Sequence, residues 1–207
     1  MTAEGDALAS EDEQVRPEFD GYFMGLAYAA RERANCRGKK VGAVLVLNER
    51  VVSTGYNGTP QGMTNCDEGG CIRCERREQE RAGGFGSGTG YDICICVHAE
   101  QNALLAAARH GIPVDGAIVY STLQPCFGCL KEMVQAGVVG VRYRHAWSYP
   151  DADESLAQQY DALEQRFPDG AKQLTTPDPR QQWALGGSAP TDTGHPIESQ
   201  AVDGDQP

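Results

Sequence analysis

The sequence predicts an α/β fold, a three-layer α/β/α sandwich with a mixed sheet of about five strands. Apolar, β-branched runs of strand length alternate with segments whose apolar residues recur at helical spacing, and this alternation is typical of α/β sandwiches. Only Asn48-Glu49 separates the first two runs, which predicts a β-hairpin. Each later run instead follows a helical segment.

The same patterns predict the individual elements. Apolar residues recur at helical spacing over 19–34, and the helical composition of 97–110 is followed by Gly111, a common residue after a helix C-terminus. A further helix is predicted over 125–137, because proline is well tolerated at the first helical position. The remaining predicted elements are a polar helix at 152–167 and strands at 41–47, 50–56, 117–122, 138–143 and 171–174.

Composition divides the chain into a domain and two tails. Residues 1–17 are polar and acidic, which predicts a disordered N-terminal tail, and 176–207 are rich in Pro, Gly and Asp, which predicts a disordered C-terminal tail. The domain between them, 18–175, contains an insertion at 58–96 that is rich in Gly and Cys. Such a segment is too long for a plain loop, so we expect its cysteines to hold it in place.

Charge and hydropathy exclude several classes of partner. The net charge of −11 comes from the flanks, because 1–20 carry −6, 150–207 carry −8 and 21–149 carry +3. A mildly basic centre suits a small anionic substrate, whereas a long nucleic acid usually needs a broad basic surface. No apolar run reaches membrane-spanning length, so no membrane partner is expected. The acidic first residues lack secretory features, which predicts a cytoplasmic location.

Residues 98–129 contain a candidate catalytic zinc site. They begin with His98-Ala99-Glu100 and end with Pro125-Cys126-Phe127-Gly128-Cys129. His98, Cys126 and Cys129 can supply three ligands, which leaves a fourth position for water. Zinc lowers the pKa of such a water from 15.7 to roughly 7, and Glu100 is positioned to move its proton. The alternative is a purely structural zinc knuckle with His98 on the surface, but such a module would not need a carboxylate at Glu100.

The H-x-E and P-C-x-x-C pattern resembles the zinc nucleobase deaminases, in which the activated water attacks C4 of cytosine or C6 of adenine. The wider chain, over about residues 20–145, resembles the deoxycytidylate (dCMP) deaminases of the cytidine/deoxycytidylate deaminase superfamily. The segments that carry this resemblance are Asn35-Cys36, 38–44, 54–60, Thr64-Asn65-Cys66, 69–74 and 94–103. Its most specific part is Gly55-Tyr56-Asn57-Gly58 combined with the cysteine-rich insertion.

The resemblance implies hydrolysis of dCMP to dUMP and ammonia, which supplies dUMP for thymidylate synthesis. It implies catalytic zinc on His98, Cys126 and Cys129, Glu100 as the proton shuttle, and Asn57 as a hydrogen-bonding partner of the nucleotide sugar. Family members are frequently homohexamers, activated by dCTP and inhibited by dTTP, so a homo-oligomer with these effectors is expected here.

Three other functions compete with this interpretation. One is a deaminase of another small pyrimidine or modified nucleotide. Another is a deaminase of nucleic acid, which the 7% aromatic content and the acidic flanks disfavour. The last is a zinc module without catalysis.

The resemblance also implies a second, structural zinc ion. Cys36 and Cys66 match its first two ligands and Cys96 matches a later one, so that Cys71, Cys74 or Cys94 would complete the set. The C-x-x-C and C-x-C spacings equally permit a site made of Cys71, Cys74, Cys94 and Cys96. Buried thiols without metal are the remaining alternative, and the sequence leaves the ligand set open.

No residue is an obvious partner for a substrate phosphate. Candidates lie before the first strand and after the fourth, and we include Tyr149 among the expected substrate-binding residues. Most of the others are typical of an ordinary solvated face. They are Arg33, Arg37, Lys39, Lys40, Tyr143, Arg144 and His145.

Overall fold

A computed structural model describes residues 16–79, 90–147 and 154–185, and these form the predicted α/β fold. Five strands make one mixed sheet in the order β2-β1-β3-β4-β5, with helices on both faces. The strands are β1 (Gly42–Leu47), β2 (Arg50–Tyr56), β3 (Ile118–Leu123), β4 (Gly140–His145) and β5 (Ala171–Gln173). The helices are α1 (Phe19–Arg31), α2 (Ile72–Gln79), α3 (Ala99–Arg109), α4 (Phe127–Gln135), α5 (Glu154–Glu164) and α6 (Gln181–Leu185).

The sheet is mixed because its first half is a hairpin and its second half is built by crossovers. Asn48 and Glu49 have φ angles of 51° and 59°, so they form the two-residue turn that matches the twist of paired strands. β1 pairs antiparallel with both β2 and β3, whereas β4 and β5 add in parallel. This order places β1 and β3 in the centre of the sheet.

Alternation along the central strands divides the core into two layers. Val44, Val46 and Tyr120 pack with Phe23 and Met24 of α1 on one face. On the opposite face the neighbouring strand positions pack against α3 and α4. The buried residues of that layer include Leu45, Ala103, Val119, Leu130, Met133 and Val141.

Two glycines allow helices to lie directly on the hairpin. A Cβ at Gly42 would collide with the Ala27 carbonyl oxygen of α1. A Cβ at Gly55 would collide with the Ala99 carbonyl oxygen in the first turn of α3. Any side chain at Gly55 would therefore push away the turn that follows His98.

The C-terminal part of the fold differs from the sequence prediction. We predicted disorder from residue 176, but 176–185 fold against α1 and end in α6. Asp178 makes a bidentate ion pair with Arg31, with both side chains fully buried and N–O distances of 2.6 and 2.8 Å. The buried guanidinium of Arg31 needs a counter-charge, and Asp178 supplies it. This ion pair holds the polar segment 176–185 against α1. Residues 1–15 and 186–207, the rest of the predicted tails, lie outside the described residues.

Smaller differences concern helix ends. α1 ends at Arg31 rather than near residue 34, and Pro125 precedes α4 instead of beginning it, because Cys126 is the N-cap. None of the helices in the described part of the chain is long and apolar enough to span a membrane.

Replacing Asp178 tests the contribution of the buried ion pair. The Asp178→Asn change leaves the Arg31 guanidinium buried without its counter-charge, so we expect a loss of about 3–5 kcal/mol in the free energy of unfolding. The matched control is Glu32→Gln, which breaks the exposed Arg180–Glu32 pair and should cost no more than about 1 kcal/mol. Urea unfolding of both variants measures the difference, and equal losses would contradict this role for Asp178.

The same pair predicts a dependence on acid. Burial alone raises the pKa of Asp178, but hydrogen bonds from Arg31, the Arg180 backbone and His145 lower it to about 2, from an ordinary 3.8. The pKa of Asp178 is lower in the folded state than in the unfolded state. The stabilisation is therefore complete above the pKa of the unfolded state and is lost as the pH falls through the pKa of the folded state. The stability difference between wild type and Asp178→Asn should therefore shrink between about pH 4 and pH 2. A constant difference over that range would contradict the assignment.

Candidate active site

The three predicted zinc ligands converge where α3 and α4 begin. His98 is the N-cap of α3, Cys126 is the N-cap of α4, and Cys129 lies in the first turn of α4. His98 Nδ1 lies 3.3 Å from Cys126 Sγ and 3.4 Å from Cys129 Sγ, and the two sulfurs are 3.6 Å apart. A tetrahedral zinc ion with ordinary bond lengths needs N–S and S–S separations of about 3.6 and 3.8 Å. The donor set therefore fits zinc.

Gln101 connects the two helices that carry these ligands. Its Oε1 accepts a hydrogen bond of 3.0 Å from the His98 backbone N–H, and its Nε2 donates to Glu132 Oε1 of α4 at 2.9 Å. We did not predict this residue as part of the site. The signal was present, because a Gln three residues after an N-cap completes a capping box.

Glu100 lies beside the three ligands and is 4% exposed. Its Oε1 accepts a hydrogen bond of 2.8 Å from Ser121 of β3, and its Oε2 lies 3.7 Å from Cys129 Sγ. Burial raises the pKa of Glu100, although the neighbouring His98 opposes the shift. A carboxyl whose pKa moves towards neutrality can both accept and donate a proton. Ser121 was also missed, although a buried Ser in an apolar strand is a recognisable signal.

The two cysteines differ in how readily each loses its proton. A hydrogen bond from Cys129 lowers the pKa of the Cys126 thiol to about 4, and the same contact raises the pKa of Cys129. The contact with Cys126 also raises the pKa of His98 to about 9. Because metals bind thiolate and neutral imidazole, the protons that these groups still hold would be released when zinc binds.

Asn57 lines the cavity beside this site, but its amide also holds the backbone. Its Oδ1 accepts a hydrogen bond from the Val41 N–H and its Nδ2 donates to the Lys39 carbonyl, both at 2.8 Å. These bonds fasten the end of β2 to the residues before β1. One amide hydrogen and one lone pair stay available in principle, so contact with a sugar stays a prediction.

His98, Glu100 and Cys126 line an open cavity, whereas Cys129 is buried behind them. Two cations and an aromatic ring lie in the cavity wall: Lys39, Arg73 and Trp147. The Lys39 Nζ lies 5.8 Å from the centre of the Trp147 ring, which is within cation–π range. The remaining lining residues include Gly38, Val41, Asn57, Ala99, Leu123 and Gln124.

Most of the predicted phosphate partners lie elsewhere. Among the described residues that we proposed, Lys39 alone lines this cavity. Arg37 donates to the Asp67 carbonyl, and Lys40 lies over the Trp183 ring. Arg144 and His145 hold the C-terminal segment through Thr176 and Asp178. Tyr149 lies outside the described residues, and Arg73 and Trp147 were not predicted.

The six remaining cysteines form one buried cluster next to the cavity instead of being scattered. They come from the turn before β1, the insertion and the segment before His98. The set permitted by spacing, Cys71, Cys74, Cys94 and Cys96, occurs in it. The set implied by the resemblance also occurs, with Cys74 as the fourth member beside Cys36, Cys66 and Cys96.

Comparison with known proteins agrees with this site. The family model for the cytidine and deoxycytidylate deaminase zinc-binding region matches residues 17–144. Deoxycytidylate deaminase of Schizosaccharomyces pombe is 43% identical over 145 residues, covering 70% of this chain and 42% of the relative. That of Saccharomyces cerevisiae is 41% identical over 133 residues, covering 64% of this chain and 39% of the relative. The chain thus spans less than half the length of these two curated relatives.

A phage relative and a crystal structure match over nearly their full lengths. Deoxycytidylate deaminase of Mycobacterium phage D29 is 41% identical over 129 residues, which are 62% of this chain and 95% of the relative. The dCMP deaminase of cyanophage S-TIM5, solved in complex with dCMP and dUMP, superimposes with a TM-score of 0.57 at 30% identity. The match covers 78% of this chain and 100% of that one. The order of the sheet, the converging donor set and these matches together show that the chain belongs to the cytidine and deoxycytidylate deaminase zinc-binding family.

Proposed function

We propose that this protein hydrolyses dCMP to dUMP and ammonia and thereby supplies dUMP for thymidylate synthesis. The observation that carries the proposal is the position of Glu100, fixed by Ser121, within one cavity wall with His98 and Cys126. The names of the relatives and the dCMP and dUMP bound in the phage enzyme support this choice of substrate.

One zinc ion on His98, Cys126 and Cys129 would supply a Lewis acid that makes water a nucleophile at neutral pH. Glu100 accepts a proton from the water that attacks C4 of the cytosine ring and donates one to N3. It then takes the remaining proton from the new C4 hydroxyl and delivers it to the departing amino group, so that dCMP and water become dUMP and ammonia. Ser121 keeps the carboxylate oriented throughout, because its hydroxyl donates to Oε1.

The nucleotide phosphate would be recognised by Lys39 and Arg73. Both line the cavity that contains the catalytic groups. Arg73 is 6% exposed, so its cation is held in a partly desolvated wall, where attraction to a phosphate is stronger than at an open surface. Asn57 would contact the sugar in the same cavity.

The proposal also includes assembly into a homo-oligomer and a cytoplasmic location. The face between α3 and α4 is mostly apolar, with Leu104, Leu105 and Ile112 beside polar residues such as Lys131 and Glu132, and Leu105 is 60% exposed. An exposed apolar face of this kind supports the expected homo-oligomer. Control by dCTP and dTTP and a cytoplasmic location follow from the family resemblance and the composition.

The Glu100→Gln variant tests the reaction. It preserves the size of the side chain but removes proton transfer, so deamination of dCMP should fall by about 10²–10⁴-fold. The fold and the zinc content should not change. The matched control is Glu49→Gln, on the exposed β1–β2 turn, which should retain wild-type turnover. Ammonia release measures the rate, and the same assay with CMP, deoxycytidine and cytosine defines the substrate.

Two results would contradict the proposal. If the wild-type protein turns over deoxycytidine but not dCMP, it acts on another small pyrimidine. If the wild type and Glu100→Gln are equally inert on every cytosine compound, the site is a zinc module without catalysis.

Two adjacent lysines provide a matched test of phosphate recognition. Lys39→Met removes a cation from the cavity wall, and a lost charge-assisted hydrogen bond should raise KM for dCMP about tenfold or more with little change in kcat. Lys40→Met removes an identical charge that lies over Trp183, 4.8 Å from the ring centre, and should leave KM unchanged. Equal effects of the two variants on KM would show that Lys39 does not bind the phosphate.

A further inference from the structure

The cysteine cluster beside the active site contains more ligands than one zinc ion can use. It is formed by Cys36, Cys66, Cys71, Cys74, Cys94 and Cys96. All are free thiols, and all are buried except Cys94, which is half-buried. Among the residues that the structure describes, this cluster contains no aliphatic or aromatic side chain. Packing of ordinary apolar side chains therefore does not explain why these six side chains are buried together.

The six sulfurs divide into two overlapping groups of four. Cys36, Cys66, Cys74 and Cys96 form the first, and Cys71, Cys74, Cys94 and Cys96 form the second. Within each group all sulfur atoms lie within 4.8 Å of one another. The groups share two members, Cys74 and Cys96, as two tetrahedra share an edge.

Individual distances agree with tetrahedral metal sites. Cys36 and Cys74 Sγ are 3.9 Å apart in the first group, and Cys71 and Cys94 Sγ are 3.9 Å apart in the second. The edge of a tetrahedral zinc–thiolate site is about 3.8 Å, because each Zn–S bond is about 2.3 Å. A disulfide would instead need a separation of about 2.05 Å.

Backbone groups also face the sulfurs. The Arg37 N–H lies 3.4 Å from Cys66 Sγ, and the Gly38 N–H lies 3.4 Å from Cys36 Sγ. Donors of this kind stabilise negative charge on sulfur, as a metal thiolate requires.

We propose that the six cysteines bind two zinc ions as one cluster, in which the Cys74 and Cys96 thiolates bridge the metals. Cys36 and Cys66 complete one tetrahedron, and Cys71 and Cys94 complete the other. Six thiols lose six protons to solvent, and six thiolates with two Zn²⁺ ions leave a charge of −2 on the cluster. The binding needs no oxidant or reductant. A single four-coordinate ion would leave two of the six cysteines, either Cys36 and Cys66 or Cys71 and Cys94, without a metal.

The cluster would stabilise the insertion and one wall of the cavity. Over 58–79 and 90–96, the part of the insertion that the structure describes, no apolar core cluster forms apart from the cysteines, so metal binding would supply folding free energy there. Cys96 precedes Val97, whose N–H and C=O both bond to Gly58 beside Asn57. Because His98 directly follows Val97, the cluster would also fix the position of the chain segment that leads into the catalytic site. This assignment concerns a second metal centre and does not depend on the proposed reaction.

Counting metal ions in the full chain tests the cluster. The chain is loaded with zinc under reducing, anaerobic conditions, freed of unbound metal and weighed by native mass spectrometry. We expect three zinc ions per chain, two in the cluster and one at the active site. The Cys71→Ser/Cys94→Ser and Cys36→Ser/Cys66→Ser variants should each lose one ion. The control Cys126→Ser/Cys129→Ser should also lose one, from the active site.

Cadmium provides a test that needs no variant. In the ¹¹³Cd spectrum of the cadmium-loaded wild type, two resonances from all-sulfur sites should split each other through the shared sulfurs. The active-site resonance, with nitrogen among its ligands, should show no such splitting. Two ions per chain, or a single unsplit all-sulfur resonance, would overturn the proposal in favour of one structural zinc. Fewer ions, with the six thiols unprotected against alkylation, would overturn it in favour of buried thiols without metal.

Discussion

The close contact between β2 and the first turn of α3 is the constraint on which the rest of the site depends. Gly55 has no side chain, so the Ala99 carbonyl can lie directly on the strand. Ser53 Oγ then donates to the Ala103 carbonyl at 2.7 Å, and Asn102 donates to the Tyr56 carbonyl at 2.6 Å. With α3 held this close to β2, Glu100 contacts Ser121 on β3 in the middle of the sheet. A larger residue at 55 would separate Glu100 from Ser121.

The candidate metal ligands depend on a second alignment, between α3 and α4. Both helices begin at the same edge of the sheet, so that two N-caps and one first-turn residue can share an ion. Gln101 and Glu132 join the helices close to the ligands. Preorganisation of this kind matters because small displacements of a catalytic group cost much rate. The polar atoms that orient the site therefore lie outside the residues that perform the chemistry.

The cysteine cluster and the C-terminal segment show two ways in which a polar segment can adopt a fixed structure without a large apolar core. In the insertion, sulfur atoms gather where aliphatic side chains would normally pack. At the C-terminal end of the domain, the buried Arg31 holds Asp178 from a segment 147 residues away. Arg31 lies on the same helical face as Phe23 and Ala27, so the helical period of α1 predicts that it is buried. The sequence does not predict its partner, because Asp178 lies in a stretch whose composition resembles a disordered tail.

The sequence by itself did not predict α2 or α6. It determined the hairpin, the order of the five strands with α1, α3, α4 and α5, and the candidate ligands and carboxylate that the structure brings together. These are local properties, because they depend on periodicity, turn residues and ligand spacing. Only the tertiary structure decided that Ser121 meets Glu100 and that Gln101 reaches Glu132 of α4. It also decided that Lys39 and Arg73 rather than Lys40 line the cavity, and that six cysteines form two groups sharing an edge. Those facts are distances between segments far apart in the chain. Composition and spacing do not encode such distances, because they depend on how the sheet stacks its helices.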